Sequence, residues 1–159
     1  MTRGRLALTA LLVALSYAAL LALVWWQQER LIFLPSKLPA EHRFDFGADV
    51  HEAWVAVPGT PGARLHALHL RNREPRGVVF FLHGNAGSIA HRLDWLPMCQ
   101  RLRLSVLLVD YRGFGKSASV SPTEELAYED AEAAFAYMAQ VAPGKPRYVV
   151  GHSLGGAIA

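Results

Sequence analysis

The stretch that decides the fold of this protein is residues 148–158, YVVGHSLGGAI. The aromatic and β-branched residues 148–150 predict a short buried strand, and the small and apolar residues at the end suit the start of a helix. Between them lies Gly-x-Ser-x-Gly, with Ser153 between Gly151 and Gly155. This is the pattern of a nucleophile elbow, a strand-to-helix turn so sharp that glycine is needed on both sides of the serine. The sequence therefore predicts Ser153 as a catalytic nucleophile raised above the edge of a sheet.

A hairpin and two core strands are predicted upstream of this motif. The two hairpin strands alternate between apolar and polar residues, and the sequence PGTPG between them is dense in turn formers. Two later segments are continuous apolar runs, which suit strands covered on both faces of a parallel sheet. A further short strand is predicted before the hairpin. In chain order these strands are residues 43–46, 52–57, 64–70, 78–82 and 106–109.

Two helices are predicted in the intervals between the core strands. The first is capped by Ser88 and runs to about Leu102, with Pro97 as a bend or break. The second starts with the capping box SPTE at Ser121, which puts Pro122 at the first helical position. Hairpin, strand, helix, strand, helix and strand in this order predict an α/β fold with a mostly parallel sheet flanked by helices.

The composition excludes several classes of function. Sixteen Lys and Arg against 13 Asp and Glu give a formal net charge of +3 with no long run of one sign, so nucleic acid is not predicted as a partner. The single cysteine, Cys99, excludes an internal disulfide and a thiolate zinc site. His66 and His69 are three residues apart on a predicted strand and therefore face opposite sides. Three other histidines have no partner at ligand spacing: His42, His51 and His91. The sequence predicts no metal and no cofactor.

The N-terminal part of the chain predicts a membrane anchor. The run from Leu6 to Trp26 contains no charge, and its 21 residues would span about 31 Å as a helix, close to a hydrocarbon core of about 30 Å. A cleaved signal peptide is the alternative, but the apolar run is longer than the usual length of about 7–15 residues. Arg3 and Arg5 precede the run, which predicts a single-pass protein with its N-terminus in the cytoplasm and the remaining chain on the far side.

A glycine-rich loop is the second part of the predicted site. A serine hydroxyl needs a base to take its proton and donors to hold the oxyanion that it creates. Residues 83–87, HGNAG, directly follow a predicted core strand, and Gly84 allows the loop to turn a backbone N–H toward the serine. We expect the two donors to be the N–H groups of Asn85 and of Leu154, the residue after the nucleophile.

Three motifs together resemble a known family. HGNAG at 83–87, DYRGFGKS at 110–117 and GHSLGG at 151–156 are similar to the serine-aminopeptidase and lysophospholipase-like branch of the α/β-hydrolases. The N-terminal apolar run makes the chain similar to the single-pass, membrane-anchored members of that branch. The resemblance covers about residues 31–159. It implies the α/β-hydrolase fold and hydrolysis of an ester, thioester or amide bond in a small-molecule, lipid or acylated substrate.

The chain departs from that family after the nucleophile. In the α/β-hydrolase fold the triad follows the order Ser, then Asp or Glu, then His, yet six residues follow Ser153 and none is acidic or a histidine. The sequence therefore predicts the N-terminal portion of a hydrolase, incomplete at its C-terminus and inactive on its own. In it, residues 1–28 would be the membrane anchor, 29–50 the juxtamembrane connector and first strand, and 51–159 the N-terminal half of the hydrolase domain. The alternative is a non-catalytic, membrane-tethered α/β module or a truncated pseudoenzyme.

Polar residues of the three motifs are expected to support the site. His152 is a neighbour of Ser153 at the elbow and should point away from it, while His83 should pack behind the oxyanion loop. Asp110 and Arg112 are expected to brace the loop that follows their strand.

Overall fold

The computed structural model describes residues 2–44, 47 and 49–159. It separates into an N-terminal helix and a folded unit that begins at Phe33. Within the described residues the folded unit contains, in chain order, β1 (Leu34–Pro35), β2 (Val50–Ala56), β3 (Arg64–Leu70), β4 (Gly77–Leu82), β5 (Ala86–Gly87), a 3-10 turn (Ile89–His91), α2 (Trp95–Arg101), β6 (Leu104–Val109), α3 (Glu124–Val141), β7 (Arg147–Gly151) and α4 (Leu154–Ile158).

The N-terminal helix, α1 (Arg3–Ile32), contains the whole predicted apolar run, residues 6–26. It is long and apolar enough to cross a membrane. It continues through residues 29–32, the start of the predicted connector, because no proline or glycine occurs between Trp26 and Pro35.

Five strands form one mixed sheet in the order β2-β3-β6-β4-β7. Strands β2 and β3 are an antiparallel hairpin and β3 pairs antiparallel with β6, whereas β6, β4 and β7 run parallel. The predicted hairpin and core strands are therefore confirmed, with ends that differ by one or two residues. The strand predicted at residues 148–150 is also present as β7, but the prediction that it is buried is wrong: Tyr148 and Val149 are 49% and 43% exposed, because β7 is the edge strand of the described sheet. Strand β4 lies between β6 and β7, so the chain crosses first to one side of β4 and then to the other. Such a switch point opens a crevice at the carboxyl ends of the strands.

Apolar side chains cover both faces of the sheet, as the continuous apolar runs predict. On one face Phe80 and Leu107 pack with the small residues of α3 and with Met138. On the other face their chain neighbours, Phe81 and Leu108, pack with α2. Because successive strand residues point to opposite faces, an unbroken apolar run is what a strand between two helical layers needs. Helices thus flank the sheet on both sides, and the predicted α/β fold is confirmed.

Two helix starts differ from the prediction. Ser88 precedes only the 3-10 turn, and α2 begins at Trp95. Pro97 is the third residue of α2, where a backbone N–H has no intrahelical acceptor, so it neither bends nor breaks the helix. The predicted cap at Ser121 is also wrong.

The N-cap of α3 is Thr123, whose Oγ1 accepts the N–H of Leu126 at 3.1 Å. Pro122 is not the first helical residue but part of the preceding loop. A Cβ added to Gly113 would lie 2.9 Å from Pro122 Cδ, so this proline is packed against the turn after β6. That contact holds residues 121 and 122 outside the helix.

The predicted strand at residues 43–46 lies partly outside the described residues, since Asp45 and Phe46 are not among them. Arg43 and Phe44 have no regular secondary structure.

Candidate active site

The turn that carries Ser153 has the geometry of the predicted elbow. Ser153 lies between the end of β7 and the first residue of α4, with φ 54° and ψ −120°. An L-residue is strained in this region, at a cost of about 1–3 kcal/mol, and such strain concentrates at functional sites. The Ser153 side chain is exposed to solvent.

Both elbow glycines are required by close backbone contacts. A Cβ on Gly151 would overlap the carbonyl group of Gly155 and lie 2.5 Å from Gly156 Cα. A Cβ on Gly155 would overlap the carbonyl oxygen of Leu82, at the end of β4. The glycines of Gly-x-Ser-x-Gly therefore allow α4 to pack directly on the strand ends.

The structure brings the glycine-rich loop and the elbow together. Strands β4 and β7 are parallel neighbours with Leu82 opposite Gly151, so both segments emerge at the same edge of the sheet. The N–H of His152 donates to the carbonyl of Leu82 at 3.0 Å. A Cβ built on Gly84 would lie 3.2 Å from Ser153 Cβ, which shows how closely the loop passes the serine.

The two predicted oxyanion donors lie on these two segments. Asn85 is half-buried and follows Gly84 in the loop. Leu154 is the first residue of α4, a position whose N–H has no intrahelical acceptor. His152 is exposed, and its Nδ1 would lie 3.2 Å from a Cβ on Gly84.

His83 is fully buried at the base of the loop. Its Nδ1 donates to the carbonyl of Gly84 at 2.7 Å, and its Nε2 is 3.5 Å from Asp110 Oδ1. Burial lowers the pKa of His83 despite the nearby carboxylate. A neutral imidazole held in this way stiffens the loop backbone, and its burial keeps it from acting as a base toward substrate.

Asp110 connects three segments around the loop. Its Oδ1 accepts the N–H of Ile89 at 2.8 Å, and its Oδ2 lies 3.8 Å from Nδ1 of His66 on β3. A Cβ on Gly115 would overlap Asp110 Oδ2, so the turn after β6 closes tightly over the carboxylate. The carboxylate is fully buried and packs this turn against the segment that follows the glycine-rich loop.

Arg112 braces the same turn from the helix side. Its Nε donates to Asp130 Oδ1 at 2.6 Å, its backbone N–H donates to Asp130 Oδ2 at 2.6 Å, and its guanidinium pairs with Glu129 at 2.6 Å. Burial raises the pKa of Asp130 to about 6, although the hydrogen bonds from Arg112 oppose that shift. The sequence pattern indicated Arg112 but not its partners on α3.

A second polar cluster, which the sequence pattern does not reveal, joins the hairpin to the turn after β6. Glu52 Oε2 accepts from His66 Nε2 at 2.8 Å and from Lys116 Nζ at 2.7 Å. Burial alone would raise the pKa of Glu52, but the hydrogen bonds and positive charges of Lys116 and His66 together hold this pKa below its ordinary value. No local sequence signal marks this cluster, because its members are separated by up to 64 residues.

Ser153 has no catalytic partner within the described part of the chain. Its Oγ forms no hydrogen bond with a histidine or a carboxylate there. The described residues also contain no group of three or more His, Cys, Asp or Glu side chains that could hold a metal ion.

A strand-to-helix elbow at the switch point of a mixed sheet is the arrangement of an α/β-hydrolase, and comparisons with known proteins agree. The sequence model of the serine aminopeptidase family S33 matches residues 73–159, more than half of the chain. The chain belongs to this family of α/β-hydrolases.

Three relatives illustrate the range of the similarity. Alpha/beta hydrolase domain-containing protein WAV2 of Arabidopsis thaliana is 37% identical over 109 residues, 65% of this chain and 35% of the relative. An uncharacterized protein of Mycobacterium tuberculosis is 33% identical over 156 residues, 93% of this chain and 53% of the relative. Lysophosphatidylserine lipase ABHD12 of Danio rerio is 38% identical over 84 residues, 52% of this chain and 22% of the relative. The chain thus spans about half, or less, of the length of these relatives.

Solved structures show the same fold. An alpha-beta hydrolase from Vibrio vulnificus superposes with a TM-score of 0.60 at 25% identity, over 70% of this chain and 38% of that one. An esterase from Pyrococcus furiosus superposes with a TM-score of 0.66 at 18% identity, over 80% of this chain and 49% of that one.

Proposed function

We propose that this chain provides the nucleophile and the oxyanion hole of a serine hydrolase that cleaves ester, thioester or amide bonds. The observation that carries the proposal is the strained backbone of Ser153 beside the glycine-rich loop, with a Cβ on Gly84 only 3.2 Å from Ser153 Cβ. Strain of this kind has little structural value unless the side chain that it presents is used.

The chemistry assigned to these residues is acyl transfer. Ser153 Oγ attacks the carbonyl carbon of the substrate and loses its proton to a base, which forms a tetrahedral oxyanion. The N–H groups of Asn85 and Leu154 donate to that oxyanion. The intermediate collapses to an acyl-enzyme as the leaving group departs with a proton, and water then releases the acid. We assign the base and its orienting acid to no described residue, since no described histidine or carboxylate is hydrogen-bonded to Ser153 Oγ.

The substrate is proposed to be a small amphiphile, a lipid or another acylated molecule. The apolar helix α1 favours anchoring of the protein in a membrane, where such substrates are concentrated. The relatives support the same class, since one is a lysophosphatidylserine lipase and a structural neighbour is an esterase.

We further propose a three-part organisation of the chain. It consists of an anchor over residues 1–28, a connector and first strand over 29–50, and the hydrolase region over 51–159. Arg3 and Arg5 support an orientation with the N-terminus in the cytoplasm and the hydrolase region on the far side.

A non-catalytic, membrane-tethered module is the second candidate. It is favoured by the lack of a histidine or carboxylate bonded to Ser153 among the described residues. Such a module would retain the fold and the anchor but would not react with an electrophile at Ser153.

A fluorophosphonate probe separates the two candidates. A fluorophosphonate reacts with a serine whose hydroxyl is activated by a base. The hydrolase proposal therefore expects the protein in its membrane to form a stable phosphonyl adduct, detected as an increase in intact mass, whereas the non-catalytic candidate expects no adduct. Ser153→Ala is expected to abolish the adduct, whereas Ser119→Ala, which changes another exposed serine, should keep it. If the protein remains unlabelled, or if Ser153→Ala is labelled as well as the parent, the hydrolase proposal is wrong and the non-catalytic candidate stands.

A further inference from the structure

The segment that directly follows α1 runs along the oxyanion loop. We call residues 33–38 the strap. Strand β1 of the strap pairs in parallel with β5, so that Leu34 lies opposite Ala86. The N–H of Leu34 donates to the carbonyl of Asn85 at 2.8 Å, and the N–H of Ser36 donates to the carbonyl of Gly87 at 2.9 Å. The strap therefore binds two carbonyl groups of the loop that includes the proposed oxyanion donor.

The other edge of the strap binds the turn after β6. The N–H of Gly115 donates to the carbonyl of Ser36 at 2.9 Å, and the N–H of Leu38 donates to the carbonyl of Gly115 at 3.0 Å. The strap thus lies between two loops and joins them by four backbone hydrogen bonds.

An aromatic side chain fixes the strap in place. Phe33 is buried and packs edge-on against Phe114, with ring centroids 6.4 Å apart. Phe114 in turn packs edge-on against His83 at 5.0 Å, at the base of the oxyanion loop. The strap is therefore connected to the loop through side chains as well as through the backbone.

We propose that the strap is a positioning element of the oxyanion hole, an inference that rests on the proposed function of Asn85. An oxyanion hole works because its donors are held in place before the reaction. The loop here has glycine at both 84 and 87, and Gly87 has a positive φ of 86°, so its backbone is permissive on its own. The strap removes that freedom by holding the carbonyls of Asn85 and Gly87.

The strap is also the chain segment that directly follows α1, the helix of the predicted anchor. Helix α1 ends at Ile32 and the strap begins at the next residue, so no linker separates them. Substitutions in this juxtamembrane segment should therefore affect catalysis although they lie more than 100 residues from Ser153 in the chain.

Proline substitutions test this role, because proline removes a backbone N–H. The full-length protein in detergent micelles carries Leu34→Pro or Ser36→Pro, and the matched controls are Leu34→Ala and Ser36→Ala, which keep the N–H. Both side chains are exposed, so the alanine controls remove little packing. For each variant we measure the maximal rate at which a fluorophosphonate modifies Ser153 (the saturating rate) and the probe concentration that gives half of this rate (the half-saturation concentration). Amide hydrogen exchange is measured across residues 84–89.

The expected result is a split between rate and binding. Each proline variant should lose about tenfold or more in the saturating rate, since loss of a single oxyanion donor costs about 100-fold to 1,000-fold. Its half-saturation concentration should stay within about twofold, and exchange should accelerate at residues 84–89 but not in β4. The alanine variants should match the parent in rate, half-saturation concentration and exchange. A general loss of stability in the proline variants would instead accelerate exchange in β4 as well.

Other results would overturn the proposal. The proposal is wrong if the proline variants react with the fluorophosphonate at the parental rate. It is also wrong if the alanine variants lose as much of the saturating rate as the proline variants. If the parent does not react with the probe at all, the proposed function fails, and exchange alone decides whether the strap orders the loop. Unchanged exchange in both proline variants would then refute the strap. A proline variant that does not fold is replaced by Phe33→Leu, which removes the edge-on ring contact with Phe114 and should show the same pattern with a smaller loss of rate.

Discussion

Alanine at Gly155 is expected to destabilise the protein, whereas alanine at the next residue, Gly156, should be neutral or stabilising. Both residues lie in α4 of the elbow, and alanine favours a helix over glycine by about 0.5–1 kcal/mol. The two sites differ in their surroundings. A Cβ on Gly155 would overlap the carbonyl of Leu82 and lie 2.6 Å from the carbonyl oxygen of His83, whereas the nearest atom to a Cβ on Gly156 is 3.6 Å away.

The size of the effect follows from that contact. The carbonyl of Leu82 ends a central strand and accepts the N–H of His152, so it cannot rotate away, and α4 would have to lift by more than about 1 Å to restore ordinary contact. Overpacking of this kind costs about 1–3 kcal/mol. Since the helix-propensity gain is common to both variants, the difference between their unfolding free energies isolates the overpacking, and we expect about 2 kcal/mol.

Urea unfolding followed by circular dichroism in detergent micelles measures this difference. The midpoint of Gly155→Ala should fall and that of Gly156→Ala should stay or rise, with unchanged m-values. Equal midpoints for the two variants would refute the reasoning, because they would mean that α4 does not pack on the end of β4.

Two further predictions concern the pH response and a helix cap. Burial, helped by the charge of Arg71, lowers the pKa of His69 from 6.5 to about 4, so the stability that it contributes is complete above pH 6.5 and is lost as the pH falls toward 4. This loss amounts to about 2 kcal/mol of unfolding free energy between pH 7 and pH 4.5. His69→Leu should therefore lose about 2 kcal/mol less than the parent over this pH range, measured by urea unfolding at each pH; an equal loss in both proteins would show that His69 is not responsible. Thr123→Ala should cost about 1 kcal/mol of unfolding free energy and Ser121→Ala almost nothing, and the reverse order would place the N-cap of α3 at Ser121.

The hairpin strands, the core strands and the elbow could be predicted because their signals are local, whereas the two-residue strands β1 and β5 were not predicted. A strand buried on both faces needs an unbroken apolar run, and residues 78–82 and 106–109 show one. The elbow needs two glycines at fixed spacing from its serine, and the contacts of Gly151 and Gly155 give the physical reason for each. Both patterns can be read from residues within a few positions of one another.

Helix starts were less predictable because several residues can serve as caps. Ser121 and Thr123 both have the side chain of a cap, and local sequence does not rank them. The packing of Pro122 against the turn at Gly113 decides in favour of Thr123. The same holds for Ser88, since only the tertiary structure shows that the segment after it forms a 3-10 turn and not the start of α2.

The amino-acid sequence by itself determined the class of fold, the position of the elbow and the apolar N-terminal helix, because each depends on residues close together in the chain. Only the tertiary structure decided what surrounds Ser153. The passage of Gly84 beside the serine, the buried Asp110 behind the loop and the strap along Asn85 join residues 21 to 69 positions apart. Contacts at such separations leave no periodic signal in a single sequence, since the chain must fold before the two partners meet.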